Sequence, residues 1–273
     1  MNNHNAERLD IAMPTKDSGD VIKPSLHAAA EASEKAGVKI ETLVIVDNNS
    51  NDKTIAFAQE IADEYGWQTN IMSGPWSLPA AREKCIESVT SEWFLFLDDD
   101  VRIAESYIET LLSWVGCERV GAIQGRKIQR TEHTADWIRR RSRRAGTHAT
   151  LIRREAVRDV KIPSEVKVLE DEFLRQVIES RDYRWILEPK AWFRHESQER
   201  HPIGWTEGYV GGKFGLSEGH TVALNIPFAL STGRNPLPHI YRLCGWGAGR
   251  VARDGTESVE REWEPDSDRA RLE

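Results

Sequence analysis

Apolar residues in the first hundred positions occur either as short continuous runs or as longer stretches with helical spacing. The runs are typical of buried strands and are found at residues 9–16, 39–50, 67–73 and 92–97. The helically spaced stretches are found at residues 19–37, 51–66 and 77–90. Strands that alternate with helices predict an α/β fold, with a mixed, mainly parallel central sheet covered on both faces.

The second half of the chain is less regular. The predicted elements there are helices at 105–115 and 169–184, strands at 119–128 and 185–197, and a strand or strand–helix corner at 147–157. From about Gly204 the chain is rich in glycine and aromatic residues, which predicts an irregular C-terminal extension over 201–252. The composition of residues 253–273 predicts a disordered acidic tail.

Polar side chains follow three of the predicted parallel strands. They are Thr15-Lys16-Asp17, Asp47-Asn48-Asn49 and Asp98-Asp99-Asp100. Because ligands of such sheets bind outside the carboxyl ends of the strands, we expect these groups to converge on one crevice. The three consecutive aspartates would repel one another at neutral pH, so a metal ion, protein cations or water must compensate them. Side chains alternate along a strand, so Asp98 and Asp100 are the predicted metal pair and Asp99 should face away.

Composition narrows the possible classes of protein. The 273 residues carry a formal net charge of −7, which argues against general binding of nucleic acids. No apolar run approaches the ~18 residues of a membrane span, and the N-terminus lacks the order of a secretory signal, so we expect a cytoplasmic protein. The three cysteines are widely spaced and form no zinc pattern. The exception to the acidic balance is a cluster of five arginines, Arg139, Arg140, Arg141, Arg143 and Arg144.

Six short motifs in a fixed order carry a family resemblance. They are IAMPTKDSGDVI, LVIVDNNSNDKT, LPAAREKC, FLFLDDDV, LEDEFLRQVIESRDY and WFRHE, within residues 9–197. This order resembles the family 2 glycosyltransferases, inverting enzymes with the nucleotide-sugar-binding fold called GT-A. The resemblance implies a catalytic domain at 1–200, with a nucleotide-sugar half at about 9–101 and an acceptor half at about 102–200. Asn48 and Glu83 depart from the family's usual acid and asparagine.

The resemblance implies a nucleoside diphosphate sugar as donor and Mg²⁺ or Mn²⁺ as cofactor, since these hard cations bridge phosphates and carboxylates. Asp98, Asp100 and His195 would bind the metal. The implied nucleotide-sugar contacts are Pro14, Thr15, Asp47, Asn49, Arg82, Asp98 and Asp99. Asp171 would be the general base, with Glu170 beside it. Structural alternatives remain open: a turn residue for Asp47, a surface helix arginine for Arg82, favourable acids at a helix start for the Glu170–Asp171 pair, and a core histidine for His195.

In the resembling family, the segment before the Glu170 helix faces the acceptor. The five arginines suit a phosphate or pyrophosphate, although a solvated charged helix face would explain them as well. We expect a hydroxyl or phosphate acceptor on a polyprenyl or dolichyl phosphate lipid, met by a peripheral enzyme at the inner face of the cell membrane. The alternatives are a non-catalytic sugar-nucleotide or glycan-binding protein, a nucleotidyltransferase and a glycosidase. A nucleotidyltransferase would need a triphosphate-binding loop, and neither GxGxxG nor GxxxxGK[ST] is present.

Overall fold

The computed structural model describes residues 8–128, 146–196 and 204–253. The chain divides into two compact units, residues 1–199 and residues 200–273. The first unit contains the sheet and every described candidate site residue. The five arginines between Arg139 and Arg144 and the tail beyond Arg253 lie outside the described residues.

Eight strands of the first unit form a single sheet. They are Arg8–Thr15 (β1), Lys39–Asp47 (β2), Gln68–Ser73 (β3), Trp93–Leu97 (β4), Val101–Ile103 (β5), Val120–Lys127 (β6), Ala149–Arg153 (β7) and Arg184–His195 (β8). Their order across the sheet is β3-β2-β1-β4-β7-β6-β8-β5. Strands β3, β2, β1 and β4 are mutually parallel, whereas β7 is antiparallel to both β4 and β6, and β5 is antiparallel to β8. Strands β6 and β8 are parallel, with register shifts. The expected mixed α/β sheet is confirmed.

The helices of the first unit occupy the segments between strands. They are Ile22–Ala36 (α1), Thr54–Tyr65 (α2), Leu78–Ser88 (α3), Tyr107–Leu112 (α4), Arg154–Val157 (α5) and Glu170–Ser180 (α6). Helices α1 and α2 each end at a glycine with φ near +65°, a backbone conformation that glycine adopts without steric cost. Helix α3 begins at Ser77, whose side chain accepts a hydrogen bond from the Ala80 N–H.

The core explains why the parallel strands read as continuous apolar runs. Every residue of β4 is buried, and so is every residue of β1 after Arg8. Helices cover both faces of this part of the sheet, so neither face of these strands meets water. Burial of each large apolar side chain contributes about 1.5–3 kcal/mol, which fixes the strands and the positions of the loops that follow them.

The second unit is helical. Its helices are Trp205–Lys213 (α7), Gly219–Ser231 (α8) and Leu237–Arg253 (α9). Helices α7 and α9 approach so closely that a Cβ atom at Gly208 would lie 1.9 Å from the Arg242 carbonyl oxygen, and one at Gly245 would lie 2.4 Å from the Trp205 carbonyl oxygen. The prediction of an irregular extension at 201–252 is therefore wrong for the described residues from Gly204 onward, which are mainly helical, because the glycines permit close contact between helices.

Large apolar side chains are exposed on this helical unit. Among the described residues they are Trp205, Leu224, Leu230, Leu237, Ile240, Tyr241 and Val251. Only three other large apolar residues are exposed in the described parts of the chain, Leu78, Ile128 and Leu187. Within those parts, no helix has both the length and the apolar character needed to cross a bilayer.

Candidate active site

The candidate site lies where β1, β2 and β4 end, as expected for a parallel sheet. Thr15 and Asp47 are register partners at the last positions of β1 and β2. Asp98 follows the last residue of β4, and its backbone N–H donates to the His148 carbonyl oxygen at 2.8 Å. The ladder between β4 and β7 therefore continues by one more bond, which places His148, the residue before β7, beside the first aspartate.

The three aspartates form a turn between β4 and β5, and they divide between two environments. Asp99 accepts hydrogen bonds from the hydroxyls of Thr15 and Ser18, each at 2.5 Å. Asp98 and Asp100 instead lie beside histidines. The division expected from strand alternation is thus present, although a turn produces it. Burial raises the pKa of Asp99 to about 6 despite its two hydroxyl donors.

Arg82 of α3 joins the acidic turn to α6. Its guanidinium group is 3.3 Å from Asp98 Oδ1 and 3.3 Å from Glu170 Oε1, and its side chain is 3% exposed. It also lies 5.5 Å from the centroid of the Phe96 ring. Burial opposes ionisation of Asp98, but the charges of Arg82 and His148 outweigh it and hold the pKa of Asp98 well below its usual range. Arg82 is therefore a buried countercharge and not a surface residue.

Two histidines lie beside the acidic turn, one just before β7 and one at the end of β8. His148 precedes β7, and its Nδ1 is 2.6 Å from Asp98 Oδ2. His195 ends β8, pairs with Val101 in the register of β5, and has its Nδ1 3.3 Å from Asp100 Oδ2. The two imidazole rings are in edge contact, with centroids 5.2 Å apart. Burial works against a charged imidazole, yet the hydrogen bond with Asp98 raises the pKa of His148.

Glu170 and Asp171 begin helix α6. Glu170 is buried and paired with Arg82, whereas Asp171 is partly buried and accepts a hydrogen bond from the next backbone N–H, that of Glu172, at 2.8 Å. Burial, and then the negative charge of Glu170, raise the pKa of Asp171. Leu169, just before the helix, has φ +66°, a conformation that costs a non-glycine residue about 1 kcal/mol or more, so its surroundings must hold it.

Other predicted nucleotide contacts have local structural roles. Asp47 accepts hydrogen bonds from the backbone N–H and the hydroxyl of Ser50, as a turn residue does. Asn49 is exposed, with φ +52°. Pro14 is buried inside β1. Thr15 is in direct contact with Asp99, whereas Asp47 hydrogen-bonds within its own turn. The nucleotide contacts of Pro14, Thr15, Asp47 and Asn49 stay predictions.

Glu83, which departs from the family's usual asparagine, connects α3 to the segment before α6. Its carboxylate accepts from the Ile162 backbone N–H at 2.8 Å and lies 3.2 Å from Lys161 Nζ. A carboxylate at this position thus anchors the loop that leads to Glu170 and Asp171.

Sequence reasoning did not find His148 or Ser18. His148 lies at the predicted strand–helix corner, but the proximity of its side chain to Asp98 depends on antiparallel pairing that no local pattern encodes. Ser18 follows the proline-ended strand, and nothing in its spacing singles it out. The available signal for His148 is that it is a histidine, a common metal ligand, directly before the buried strand β7.

The described residues contain a donor set suited to a divalent cation. One ligand atom each from Asp98, His148 and His195 can be chosen so that all three lie within 4.8 Å of one another. Carboxylate and imidazole ligands suit Mn²⁺ and related ions, and carboxylates also suit Mg²⁺. Asp100 adjoins the set through His195. The residues therefore fit the metal that the family resemblance implies.

The sheet order and the acidic site define the class of protein: the domain has the GT-A fold of glycosyltransferases. The chain belongs to glycosyl transferase family 2, whose family model matches residues 10–167, and the resemblance seen in the sequence is confirmed.

Solved structures show the same fold at low sequence identity. The mannosyltransferase PcManGT from Pyrobaculum calidifontis, in complex with GDP-Man and Mn²⁺, is 17% identical, with a TM-score of 0.62 over 95% of this chain and 78% of that one. S. aureus TarS 1–349 with UDP-GlcNAc is 15% identical, with a TM-score of 0.55 over 81% and 71%. Glucosyl-3-phosphoglycerate synthase from Mycobacterium tuberculosis, with Mn²⁺, UDP and phosphoglyceric acid, is 13% identical, with a TM-score of 0.52 over 71% and 72%. No curated protein matches the sequence.

Proposed function

We propose that the protein is a metal-dependent inverting glycosyltransferase that moves a sugar from a nucleoside diphosphate sugar to a hydroxyl or phosphate acceptor. The observation that carries this proposal is the continuous contact from Asp100 and His195 through His148, Asp98 and Arg82 to Glu170. These contacts join a donor set suited to a cation and a pair of helix-start carboxylates, which supports a single active site. The similar structures solved with GDP-Man, UDP-GlcNAc and Mn²⁺ support the same reading.

Each residue of the site has a distinct role in the proposed transfer. A divalent ion held by Asp98, Asp100 and His195 would supply charge stabilisation for the departing diphosphate. Arg82 keeps Asp98 ionised and fixes Glu170 next to the base. Asp171 takes the proton of the acceptor hydroxyl as its oxygen bonds to the anomeric carbon and the bond from that carbon to the diphosphate breaks. Attack opposite the leaving group inverts the anomeric configuration.

The raised pKa of Asp171 suits this task. A carboxylate of ordinary pKa is a weak base towards a hydroxyl, and a higher pKa increases its tendency to accept the proton. Asp171→Asn should leave donor binding near that of the native protein and reduce transfer to a hydroxyl acceptor by a factor of ~10²–10⁴. With a phosphate acceptor the nucleophile is already ionised, so the loss should be much smaller. Full transfer to a hydroxyl by the variant would refute the base.

Metal and donor are tested together by thermal shift. The panel contains UDP-, GDP- and dTDP-sugars, each with Mn²⁺, with Mg²⁺ and with EDTA. We expect stabilisation that requires both a nucleotide sugar and a metal, because a ligand that binds only the native state raises its stability. Asp100→Asn should abolish the metal dependence and leave the fold intact, and unchanged dependence in that variant would refute the metal site. Metal-dependent donor binding without transfer to any acceptor would favour a sugar-nucleotide-binding protein.

We propose in addition that the helical unit meets a lipid surface at the cytoplasmic face of the membrane, where a polyprenyl- or dolichyl-phosphate-linked acceptor resides. Exposed apolar residues are concentrated on this unit, and residues 221–241 contain a single formal charge, Arg234. Apolar faces with Trp and Tyr favour the bilayer interface, and nearby arginines favour anionic lipid at about 1 kcal/mol each. The five arginines of residues 139–144 are the proposed partners of lipid or acceptor phosphate.

Flotation with liposomes tests the membrane proposal. Binding should require anionic lipid, weaken in high salt, and fall when Leu230, Leu237 and Tyr241 are changed to Ser or when the five arginines are changed to Ser. Leu187→Ser is the matched control, since this leucine is 56% exposed but lies in the sheet unit. Liposome binding that equals that of the native protein in all of these variants would refute the proposed lipid contact.

A further inference from the structure

Among the described histidines, His148 is the one whose side chain is paired with Asp98, and it lies outside the six motifs of the family resemblance. The backbone holds it there. The hydrogen bond from the Asp98 N–H to the His148 carbonyl oxygen extends the β4–β7 ladder, whose last pair is Leu97 with Ala149. The imidazole ring packs against Phe193 and His195, with centroids 6.4 and 5.2 Å away. Its position is therefore set by the sheet and by ring packing, and not by the contact with Asp98 alone.

The separations of the ligand atoms suit one six-coordinate ion. Two ligand atoms at about 2.1 Å from an ion, on adjacent octahedral positions, are about 3 Å apart. His148 Nδ1 and Asp98 Oδ2 are 2.6 Å apart, and His195 Nδ1 and Asp100 Oδ2 are 3.3 Å apart. Shifts of a few tenths of an ångström would bring both pairs to that spacing. The 4.8 Å limit that encloses the set Asp98, His148 and His195 is compatible with opposite positions as well as adjacent ones.

We infer that His148 is a ligand of the ion and that the resulting pair of imidazoles makes the site select Mn²⁺ or a similar transition ion over Mg²⁺. This inference rests on the proposed function, because the ion is the one that serves the donor diphosphate. Mg²⁺ prefers oxygen ligands, whereas imidazole suits transition ions, so each nitrogen ligand shifts the preference. A site with one histidine and two carboxylates would discriminate less. His148 thus adds the second imidazole to that of His195 and increases the preference for a transition ion.

Three variants of the full chain test the assignment by metal binding, without any measurement of transfer. His148→Gln removes the imidazole, His148→Asp replaces it with an oxygen ligand, and His220→Gln is the matched control, because His220 also pairs with a carboxylate, Glu218, but is 70% exposed. The dissociation constant of Mn²⁺ is measured from the EPR signal of the free ion, and that of Mg²⁺ by competition. Far-UV CD and thermal melting establish that each variant is folded.

We expect His148→Gln to weaken the binding of Mn²⁺ at least about tenfold and the binding of Mg²⁺ less than about threefold. The loss for Mn²⁺ should be at least as large as that caused by changing a residue that only orients a ligand. His148→Asp should weaken the binding of Mn²⁺ and strengthen the binding of Mg²⁺. His220→Gln should change neither. If His148→Gln fails to fold, His148→Asp carries the test, since the preference between the two ions must still shift towards Mg²⁺.

Pulsed EPR of bound Mn²⁺ distinguishes a ligand from a residue that only positions Asp98. Nitrogen couplings from two imidazoles are expected in the native protein and from one in His148→Gln. An unchanged Mn²⁺/Mg²⁺ ratio, or a single nitrogen coupling in the native protein, would overturn the inference while leaving the proposed function intact. Failure of the proposed metal site itself would appear differently, as unaltered Mn²⁺ affinity in Asp100→Asn and His195→Gln.

Discussion

Replacement of Arg82 by Met tests whether a buried countercharge holds the site together. The variant keeps most of the aliphatic stem beside Phe96 but removes the charge 3.3 Å from both Asp98 and Glu170. Breaking a buried ion pair usually costs about 3–5 kcal/mol, because the remaining charge is left without a partner. The side chains of Asp98 and Glu170 retain 17% and 10% exposure, and both contacts are long, so we expect a loss of about 3 kcal/mol in metal-free protein.

The assay is urea unfolding at pH 7 in EDTA, with Arg175→Met as the matched control. Arg175 also contacts two carboxylates, those of Glu172 and Glu179, but its side chain is 26% exposed. Partial solvation screens such pairs, so the control should lose about 1 kcal/mol or less. Saturating Mn²⁺ should reduce the deficit of Arg82→Met, because a bound cation replaces part of the missing charge and stabilises the native state.

A loss below about 1 kcal/mol for Arg82→Met, or one equal to that of Arg175→Met, would refute the argument. It would show that the two carboxylates are already satisfied by water or by protonation. Where Arg82→Met does show the expected loss, the double variant Arg82→Met with Glu170→Gln identifies its cause. It should recover stability only if an unpaired Glu170 charge causes the loss.

Three further predictions use other parts of the structure. The rate of transfer to a hydroxyl should fall as the pH drops through about 7, because only the ionised base accepts a proton. Burial and then the charge of Glu170 raise the pKa of Asp171 to about 7. A fall in rate only near pH 4 would contradict this prediction. Asp99→Asn should stabilise metal-free protein by about 1–3 kcal/mol at pH 7.5 and not at pH 3.5. The folded-state pKa of about 6 lies above the ordinary value of 3.8, so the ionised form is penalised only at the higher pH, and an equal effect at both pH values would exclude that cause. In the helical unit, Gly208→Ala should destabilise the native protein by about 1–3 kcal/mol in thermal melts. Gly247→Ala, with no atom within 4 Å of the added Cβ, should be neutral or stabilising. Equal melting temperatures for the two variants would argue against the close helix contact.

The parallel part of the sheet, formed by β3, β2, β1 and β4, was predictable because the sequence patterns that indicate its strands and helices are local. Strands β1, β2 and β4 are buried on both faces, so each appears as an apolar run, and α2 shows its buried face as helical spacing. The polar residues at their ends, among them Thr15 and the aspartates, follow from the same pattern. Resemblance to a family then supplied roles that spacing alone cannot give.

The part of the sheet formed by β7, β6, β8 and β5 was less predictable from the sequence, because its pairing joins distant segments. Nothing near residue 148 indicates that β7 lies between β4 and β6, and the position of His148 follows from that order. The prediction of an irregular extension at 201–252 was wrong for another reason. Glycine lowers helix propensity, but at Gly208 and Gly245 the close approach of α7 and α9 provides packing that offsets this cost.

The position of the histidines in the chain has a consequence for folding during synthesis. The ribosome makes Asp98 fifty residues before its partner His148, and Arg82 sixteen residues before Asp98. A nascent chain that has just formed β4 therefore holds three adjacent carboxylates with Arg82 available and neither imidazole yet made. Arg82 can neutralise part of this charge early, while the complete donor set exists only after β7 and β8 have joined the sheet. The donor set proposed for Mn²⁺ is accordingly complete only in chains that extend to His195, so Mn²⁺ should stabilise those chains and not shorter nascent ones.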